Sequence, residues 1–220
     1  MTHQLRQFRA VLFVPKNHEA YHSTWPETLA ILRDFESATR EDPSTGDFVL
    51  LDCAIFRLPD TNVVILGCSL FSLVPPEDQT DVGHILNDFQ YPEDWDVEAH
   101  NAAHKRDLEW LNTQISEAEW AKEDVRIMIL THWSPSRDTR ATEARHRGSP
   151  ITSAFSSDLS GERCFRSGKV KVWAFGHPHY NLDFGVARGA AAGVLRLVAN
   201  QRGSYFAPAA GFDGEKVVEL

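Results

Sequence analysis

The sequence predicts an α/β fold, and three observations lead to this prediction. Short apolar runs of strand length occur at 10–14, 125–131 and 169–175, and each one stops at polar or turn-forming residues. Two longer stretches, 26–38 and 100–119, carry apolar residues at the spacing of an amphipathic helix. Several further apolar runs follow one another with only short gaps, which indicates that part of the sheet is antiparallel.

The remaining elements follow from local signals along the chain. Pro26 suits the first turn of the helix predicted over 26–38. The other predicted strands are, in chain order, 48–51, 54–58, 63–69, 181–187 and 193–199. Residues 59–62 predict a hairpin turn, and the glycine-flanked link 189–193 predicts the turn before the last strand.

Two long irregular stretches interrupt these elements. Residues 72–99 are acidic and contain three prolines, and we predict a cap or lid over a site, with a solvated surface excursion as the alternative. Residues 134–168 predict a second long loop, rich in serine, arginine and threonine. A length of 220 residues fits one domain over 1–220 with such an excursion.

Composition excludes some classes of partner. The chain is 42% hydrophobic and 24% charged, which is ordinary for a globular protein. A net charge of −9 argues against nucleic acid, because binding the phosphate backbone requires clustered lysine and arginine. A bound metal ion would reverse this charge locally, so the composition does not exclude an anionic substrate.

The cysteines and the N-terminus predict a cytoplasmic location. The chain has an odd number of cysteines, Cys53, Cys68 and Cys164. They are widely spaced and form no C-x-x-C pair, which is typical of reduced thiols in an intracellular protein. The first residues are polar, so we expect no signal peptide. Apolar runs fall far short of the ~20 residues that cross a bilayer, and no membrane association is expected.

Polar, metal-seeking side chains follow three of the predicted strands. Asn17 and His18 come after the first apolar run, His132 after the second, and His177 and His179 after the third. Histidine is the commonest metal ligand in proteins, and a metal site needs donors held at the ends of rigid elements. The pattern therefore predicts a metal centre at the strand ends.

These same residues carry a family resemblance. The segments N-H-E at 17–19, T-H-W-S-P at 131–135 and G-H-P-H at 176–179 occur in the order found in calcineurin-like metallophosphoesterases. The chain resembles that family, and specifically a fungal-type subgroup, from about residue 8 to residue 204. The resemblance implies two packed sheets flanked by helices, an α/β/β/α sandwich, with the site at the strand ends.

The resemblance also implies roles for individual residues. Asn17, His132 and His177 would hold one divalent metal ion, and His179 would reach toward a second. His18 would act as the acid beside the leaving group. Amide, imidazole and carboxylate donors suit Mn²⁺, Fe or Zn²⁺, and we expect one or two ions per chain.

The chain departs from the family pattern at its start. The family opens with D-x-H and G-D-x-x-[DN] blocks, and both are missing, because the sixteen residues before Asn17 contain no aspartate. We therefore expect a shortened domain without its first β-α-β unit. Lys16 replaces the usual glycine before Asn17, and if φ were positive there the lysine would cost roughly 1 kcal/mol.

Other polar residues are weaker candidates. Four residues could replace missing metal ligands or orient a metal-binding histidine, although we expect ordinary roles for them: His22, Glu19, Asp52 and Asp183. His100 and His104 share one helix face, which we expect to be solvated. The stretch 134–168 also contains a basic cluster, made of Arg137, Arg140, Arg145, His146 and Arg147. Its arginines could bind a substrate phosphate, or the cluster could be an ordinary solvated face.

Three functions therefore stay open. The first is metal-dependent hydrolysis of a phosphate ester in a small phosphorylated substrate, with an incomplete or mononuclear site. The second is a catalytically inactive homologue that acts as a binding or regulatory protein. The third is a fragment of a longer phosphoesterase, whose exposed sheet edge a homo-oligomer would cover.

Overall fold

The computed structural model describes residues 2–122, 124–143, 148–149, 151–203 and 208–220. The strands are β1 (Ala10–Phe13), β2 (Asp47–Leu50), β3 (Ala54–Arg57), β4 (Val63–Cys68), β5 (Arg126–Thr131), β6 (Val170–Phe175), β7 (Leu182–Ala187) and β8 (Val194–Ala199). The helices are α1 (Thr2–Leu5), α2 (Trp25–Arg40), α3 (Gln79–Ile85), α4 (Val97–Trp120) and α5 (Arg163–Arg166). The predicted strands and both predicted long helices are confirmed, with ends that shift by a few residues.

Local sequence explains where α2 begins. The Thr24 hydroxyl accepts a hydrogen bond from the Glu27 backbone N–H at 3.3 Å, and the Glu27 carboxylate accepts one from the Thr24 N–H at 3.4 Å. This reciprocal capping box satisfies two donors that a helix start otherwise leaves unpaired. Pro26 lies in the first turn, as the sequence predicts, because its missing N–H has no partner to lose there.

The strands form two sheets. Strands β1 and β2 pair in parallel, and the other six follow the order β3-β4-β5-β6-β8-β7. In this larger sheet β4, β5, β6 and β8 are parallel neighbours, whereas β3 and β7 pair antiparallel at its two edges. The predicted mixture of parallel and antiparallel pairing is confirmed.

Side chains that alternate along β1 and β2 place the small sheet between α2 and the large sheet. One face packs against α2 through Val11, Phe13, Leu32, Phe35, Phe48 and Leu50. The opposite face packs against the large sheet through Leu12, Val14, Val49, Val63 and Ile65. The far face of the large sheet packs against α4 and α5 through Leu66, Leu111, Ile115, Ile129 and Phe165. The α/β class predicted from the sequence is confirmed, with a six-stranded sheet flanked by helices.

The irregular stretch 72–99 contains α3 and a short 3₁₀ turn, Asn87–Phe89. Its end is attached to the residues that follow β1. The His22 N–H donates to the Tyr91 carbonyl at 2.9 Å, the Glu93 N–H donates to the Ser23 carbonyl at 2.9 Å, and Tyr21 bridges to Pro92. These bonds hold residues 87–93 beside the residues that follow β1.

The expectation of a solvated face at His100 and His104 is wrong. Both side chains are buried, at 1% and 4% exposure, and Asp107 on the same side of α4 is fully buried. Their polar atoms have partners in the segment 70–72. This segment follows β4 and belongs to no helix or strand. Polar residues can therefore face inward on this helix because they satisfy backbone groups rather than water.

The partners of these three side chains are backbone groups. The Leu70 N–H donates to the Asp107 carboxylate at 2.8 Å, and the Ser72 N–H donates to His100 Nε2 at 3.1 Å. His104 Nδ1 lies 3.0 Å from the carbonyl oxygens of Leu70 and Phe71. Leu70 and Phe71 have φ values of 71° and 32°, in a region that non-glycine residues rarely adopt. The α4 side chains thus hold a strained turn in place.

Burial of His100 predicts a loss of stability in acid. Burial lowers the pKa of His100 to about 3, and the charges of His104 and His177 add to the shift. Between about pH 6.5 and 3 the unfolded chain binds a proton that the folded chain does not. The contribution of His100 to the free energy of unfolding is therefore fully present above pH 6.5. It decreases as the pH is lowered, by up to about 1.4 kcal/mol per pH unit.

The measurement is the free energy of unfolding in urea at several pH values. A His100→Gln variant retains an acceptor for the Ser72 N–H and has no group that titrates at this position. Its stability should fall less steeply with acid than that of the natural chain. Parallel slopes for the two proteins would show that His100 does not contribute to the acid sensitivity.

Two further observations concern the residues described. None of the helices among them is long and apolar enough to cross a membrane. Cys53, Cys68 and Cys164 are free thiols, and burial raises the pKa of Cys164 to about 12.

Candidate metal centre

Three segments meet at one end of the sheets. Asn17 opens a 3₁₀ turn (Asn17–Ala20) just after β1, His132 directly follows β5, and His177 follows β6 by one residue. Because β5 and β6 are parallel neighbours, their carboxyl ends lie side by side. The topology therefore brings the two histidines together, and the small sheet brings Asn17 to them.

The side chains of Asn17, His132 and His177 form a compact cluster. Asn17 Oδ1 lies 2.9 Å from His132 Nε2, and His177 Nδ1 lies 3.0 Å from the same nitrogen. His132 and His177 are only 7% and 6% exposed. The sequence-based prediction that these three side chains lie together is thus in agreement with the structure.

The turn after β6 makes this approach geometrically feasible. A Cβ atom at Gly176 would lie 3.1 Å from His132 Nδ1, so this position favours glycine. The Gly176 N–H donates to the His132 carbonyl at 3.0 Å. His177 and His179 have φ values of 50° and 51°, so the chain turns at these residues and is not extended there.

His18 and His179 occupy a different position from the cluster. Both are exposed, and both line the mouth of a cavity that also contains Asn17 and His177. The His18 ring packs on Tyr21 with 4.8 Å between ring centroids. Their predicted roles as acid and as ligand of a second ion stay predictions.

Asp88 is the site residue that sequence reasoning missed. Its Oδ1 accepts hydrogen bonds from Asn17 Nδ2 at 2.7 Å and from the Tyr21 hydroxyl at 2.5 Å. Its Oδ2 lies 4.0 Å from His177 Nε2. Burial and this carboxylate raise the pKa of Tyr21 above its usual value. The only sequence signal was that Asp88 lies in the acidic stretch predicted to cover a site.

Aromatic rings surround the buried imidazoles. The rings of Trp133 and Phe155 pack on His177, with 4.8 and 4.9 Å between ring centroids. Burial lowers the pKa of His132 well below its usual value, and the neighbouring charge of His177 adds to the shift. Burial also lowers the pKa of His177 to about 4, although the charge of Asp88 and the Ala154 carbonyl oppose the shift. Burial therefore favours the neutral form of both imidazoles, in which each ring has one nitrogen lone pair.

A cavity of about 420 Å³ opens beside the cluster. One part of its wall is polar and includes the four residues Asn17, His18, His177 and His179. Another part is apolar and comes from both irregular stretches: Ile85, Leu86, Ile151 and Phe155. The cavity is therefore lined by both polar and apolar groups, which suits a small molecule that has both kinds of surface.

The donor set fits one metal ion. Among the residues described, no group of three or more His, Cys, Asp and Glu side chains is arranged to hold a metal ion. The cluster offers a different set, one amide oxygen and two imidazole nitrogens. Asn17 Oδ1 and His177 Nδ1 lie 2.9 and 3.0 Å from His132 Nε2, so the three atoms would be close enough together to hold one divalent ion.

The weaker candidates lie in ordinary contacts. Lys16 has φ −109°, so the condition under which a lysine would cost free energy at this position does not arise. Asp183 does not orient a histidine but pairs with Arg196 and Lys216, each at 2.7 Å. The remaining pairs are Glu19 with Lys16 at 3.5 Å, Asp52 with Arg33 at 2.8 Å, and His22 stacked on Tyr91 at 5.3 Å.

The basic cluster does not line the cavity where the structure describes it. Arg137 donates to the Ser156 carbonyl at 3.2 Å. Arg140 pairs with Asp138 at 2.6 Å and packs over the Phe184 ring at 4.1 Å. The other members, Arg145, His146 and Arg147, lie outside the described residues.

Comparison with known proteins supports the fold alone. No protein-family model matches the chain, and no curated protein matches it. Among solved structures, the fold is similar to that of the phosphopantetheinyl hydrolase PptH from Mycobacterium tuberculosis, with a TM-score of 0.58. The similarity covers 87% of this chain and 69% of that protein, at 10% sequence identity.

Proposed function

We propose that this protein is a metal-dependent hydrolase of a small phosphate ester, of the calcineurin-like metallophosphoesterase class, with one divalent ion per chain. The observation that carries the proposal is the convergence of Asn17 Oδ1, His132 Nε2 and His177 Nδ1 beside an open cavity. The layered fold and its similarity to a solved phosphopantetheinyl hydrolase support a hydrolase in general.

The convergence is difficult to explain as packing alone. The amide oxygen of Asn17 and the Nδ1 atom of His177 both face His132 Nε2. This nitrogen carries at most one proton, so it cannot donate a full hydrogen bond to both atoms. A cation held by the three atoms would accept one lone pair from each of them. Three protein ligands with further positions open is also the usual arrangement of a catalytic metal site.

The chain's own residues divide the remaining tasks. A bound divalent ion supplies Lewis acidity toward a phosphoryl oxygen. His18, exposed at the cavity mouth beside Asn17, is placed to give a proton to the departing oxygen. The apolar wall takes the organic part of the ester and keeps water from that side.

A single ion is proposed because His179 does not join the cluster. His179 is exposed at the cavity wall, whereas His132 and His177 are buried. One histidine is too few to hold a second ion firmly. Mn²⁺, Fe and Zn²⁺ all accept the proposed donor set.

Metal content and hydrolysis of p-nitrophenyl phosphate test the proposal together. After loading with Mn²⁺ or Zn²⁺, elemental analysis should find about one ion per chain. A His177→Ala variant should bind the ion at least about 100-fold more weakly and lose hydrolysis, since even outer partners of metal ligands contribute 10- to 100-fold. His179→Ala should retain the ion.

The matched control is His84→Ala, which removes an exposed histidine of α3 and should change neither readout. Absence of any tightly bound ion in the loaded natural chain would overturn the metal-dependent mechanism and favour a binding protein on the same fold. Two tightly bound ions would contradict the single-ion site.

A further inference from the structure

We infer that Asp88 is a positioning residue, which orients the Asn17 amide and selects the protonated nitrogen of His177, so that one oxygen and one nitrogen remain free as ligand atoms. This inference rests on the proposed function, because it concerns how the chain prepares the site for a metal ion. Its physical basis lies in two contacts of one carboxylate.

The first contact determines which way the Asn17 amide points. An ionised carboxylate can only accept hydrogen bonds. The Asn17 atom that lies 2.7 Å from Asp88 Oδ1 must therefore be the amide nitrogen. The amide oxygen is then on the other side, 2.9 Å from His132 Nε2, where a ligand atom is required.

The second contact concerns the tautomer of His177. A neutral imidazole carries its proton on one nitrogen and a lone pair on the other. His177 Nε2 is buried, has no hydrogen-bond partner among the residues described, and lies 4.0 Å from Asp88 Oδ2. The negative charge favours a proton on Nε2, because a lone pair there would face the carboxylate. Nδ1 then keeps its lone pair toward His132, 3.0 Å away.

Asp88 is itself held firmly. Its side chain is 13% exposed and accepts a further hydrogen bond from the Tyr21 hydroxyl at 2.5 Å. The adjoining residues are attached by the backbone bonds of Tyr91 and Glu93 to His22 and Ser23. A carboxylate restrained on this many sides can restrain its partners, as carboxylates beside metal-binding histidines commonly do.

The arrangement gives the irregular stretch 72–99 a specific task. The Asn87–Phe89 turn brings a negative charge to the back of two ligands that come from different sheets. Asp88, which lies outside the segments that resemble the family, thus contacts both Asn17 and His177. We place Asp88 in the outer shell of the site, since its nearest atoms face the amide nitrogen and Nε2 rather than the ligand atoms.

The informative variant is Asp88→Asn, which preserves size but replaces one oxygen with a donating amide. Its oxygen can still accept from Asn17 and Tyr21, which leaves the NH₂ group facing His177 Nε2. A donor there favours a lone pair on Nε2 and moves the proton to Nδ1, the proposed ligand atom. The variant should therefore bind the ion more weakly without a change of shape.

Two readouts test this. Isothermal titration with Zn²⁺ should show 10- to 100-fold weaker binding by Asp88→Asn, the range reported for such outer-shell changes. Nitrogen-15 NMR of the metal-free proteins should show His177 protonated on Nε2 in the natural chain and on Nδ1 in the variant. Asp81→Asn, an equal charge change at an exposed position in α3, is the control and should match the natural chain.

The outcomes separate the two proposals. Equal zinc affinity and an unchanged His177 tautomer in Asp88→Asn would overturn the role of Asp88 while leaving the metal site intact. If the natural chain binds no zinc, the proposed function fails, and the tautomer measurement still decides the role of Asp88. Thermal unfolding of each variant verifies that it is folded before either readout is interpreted.

Discussion

A Trp173→Ala variant is expected to lose about 3–5 kcal/mol of unfolding free energy, the range for removing a buried tryptophan side chain. Trp173 is fully buried in β6 and belongs to the core between the large sheet and the helices α4 and α5. Its indole N–H donates to the Thr131 hydroxyl at 3.0 Å. That hydroxyl in turn donates to the Trp133 carbonyl at 2.8 Å, so the loss extends to the residues around His132.

Chemical denaturation with urea measures this loss. Trp120→Ala provides the matched control, because Trp120 at the end of α4 is 90% exposed and its removal should change stability by less than about 0.5 kcal/mol. A total stability of 5–15 kcal/mol is usual for a folded protein, so Trp173→Ala should also lower the thermal midpoint markedly. Similar losses in the two variants would show that the core described around Trp173 is wrong.

An Asp107→Ala variant is expected to lose about 2–3 kcal/mol, because it leaves the buried N–H of Leu70 without its acceptor. The carboxylate also accepts from Arg106 at 2.6 Å and from the Cys53 thiol at 3.4 Å. Without it, the turn at Leu70 and Phe71 loses a bond that opposes its unfavourable backbone angles. Urea denaturation, monitored by circular dichroism, measures the change.

Asp107→Asn separates the hydrogen bond from the charge. Its amide oxygen can still accept the Leu70 N–H, so most of the stability should remain. The pair with Arg106 contributes little, because the Arg106 side chain is 56% exposed and water screens the interaction. A loss as large in Asp107→Asn as in Asp107→Ala would indicate that the ion pair dominates instead.

The fold was predictable from sequence to the extent that local patterns determine it. Apolar runs identified the strands, and the spacing in 26–38 together with Pro26 identified α2. Composition carries no information on how the strands are ordered, since the pairing of β6 with β8 rather than β7 depends on contacts between distant residues. The order of layers was expected only from the resemblance.

The candidate site was predictable where polar side chains come soon after a strand. Asn17, His132 and His177 could be found because each comes at the end of an apolar run. His100 and His104 were misjudged, because their partners are backbone groups of 70–72 and an unpaired turn has no sequence signature. Asp88 was missed because its place depends on how residues 87–93 attach to residues 21–23.

The packing of aromatic rings on His177 has a kinetic consequence. A ring pressed by Trp133 and Phe155 cannot exchange its two nitrogens by rotation unless at least one of these neighbours moves away. The imidazole therefore loses its torsional freedom when the chain folds, and little further ordering of this ring would be needed for it to bind a ligand. Capture of a ligand by such a preordered group is limited by diffusion and dehydration rather than by rearrangement of the protein.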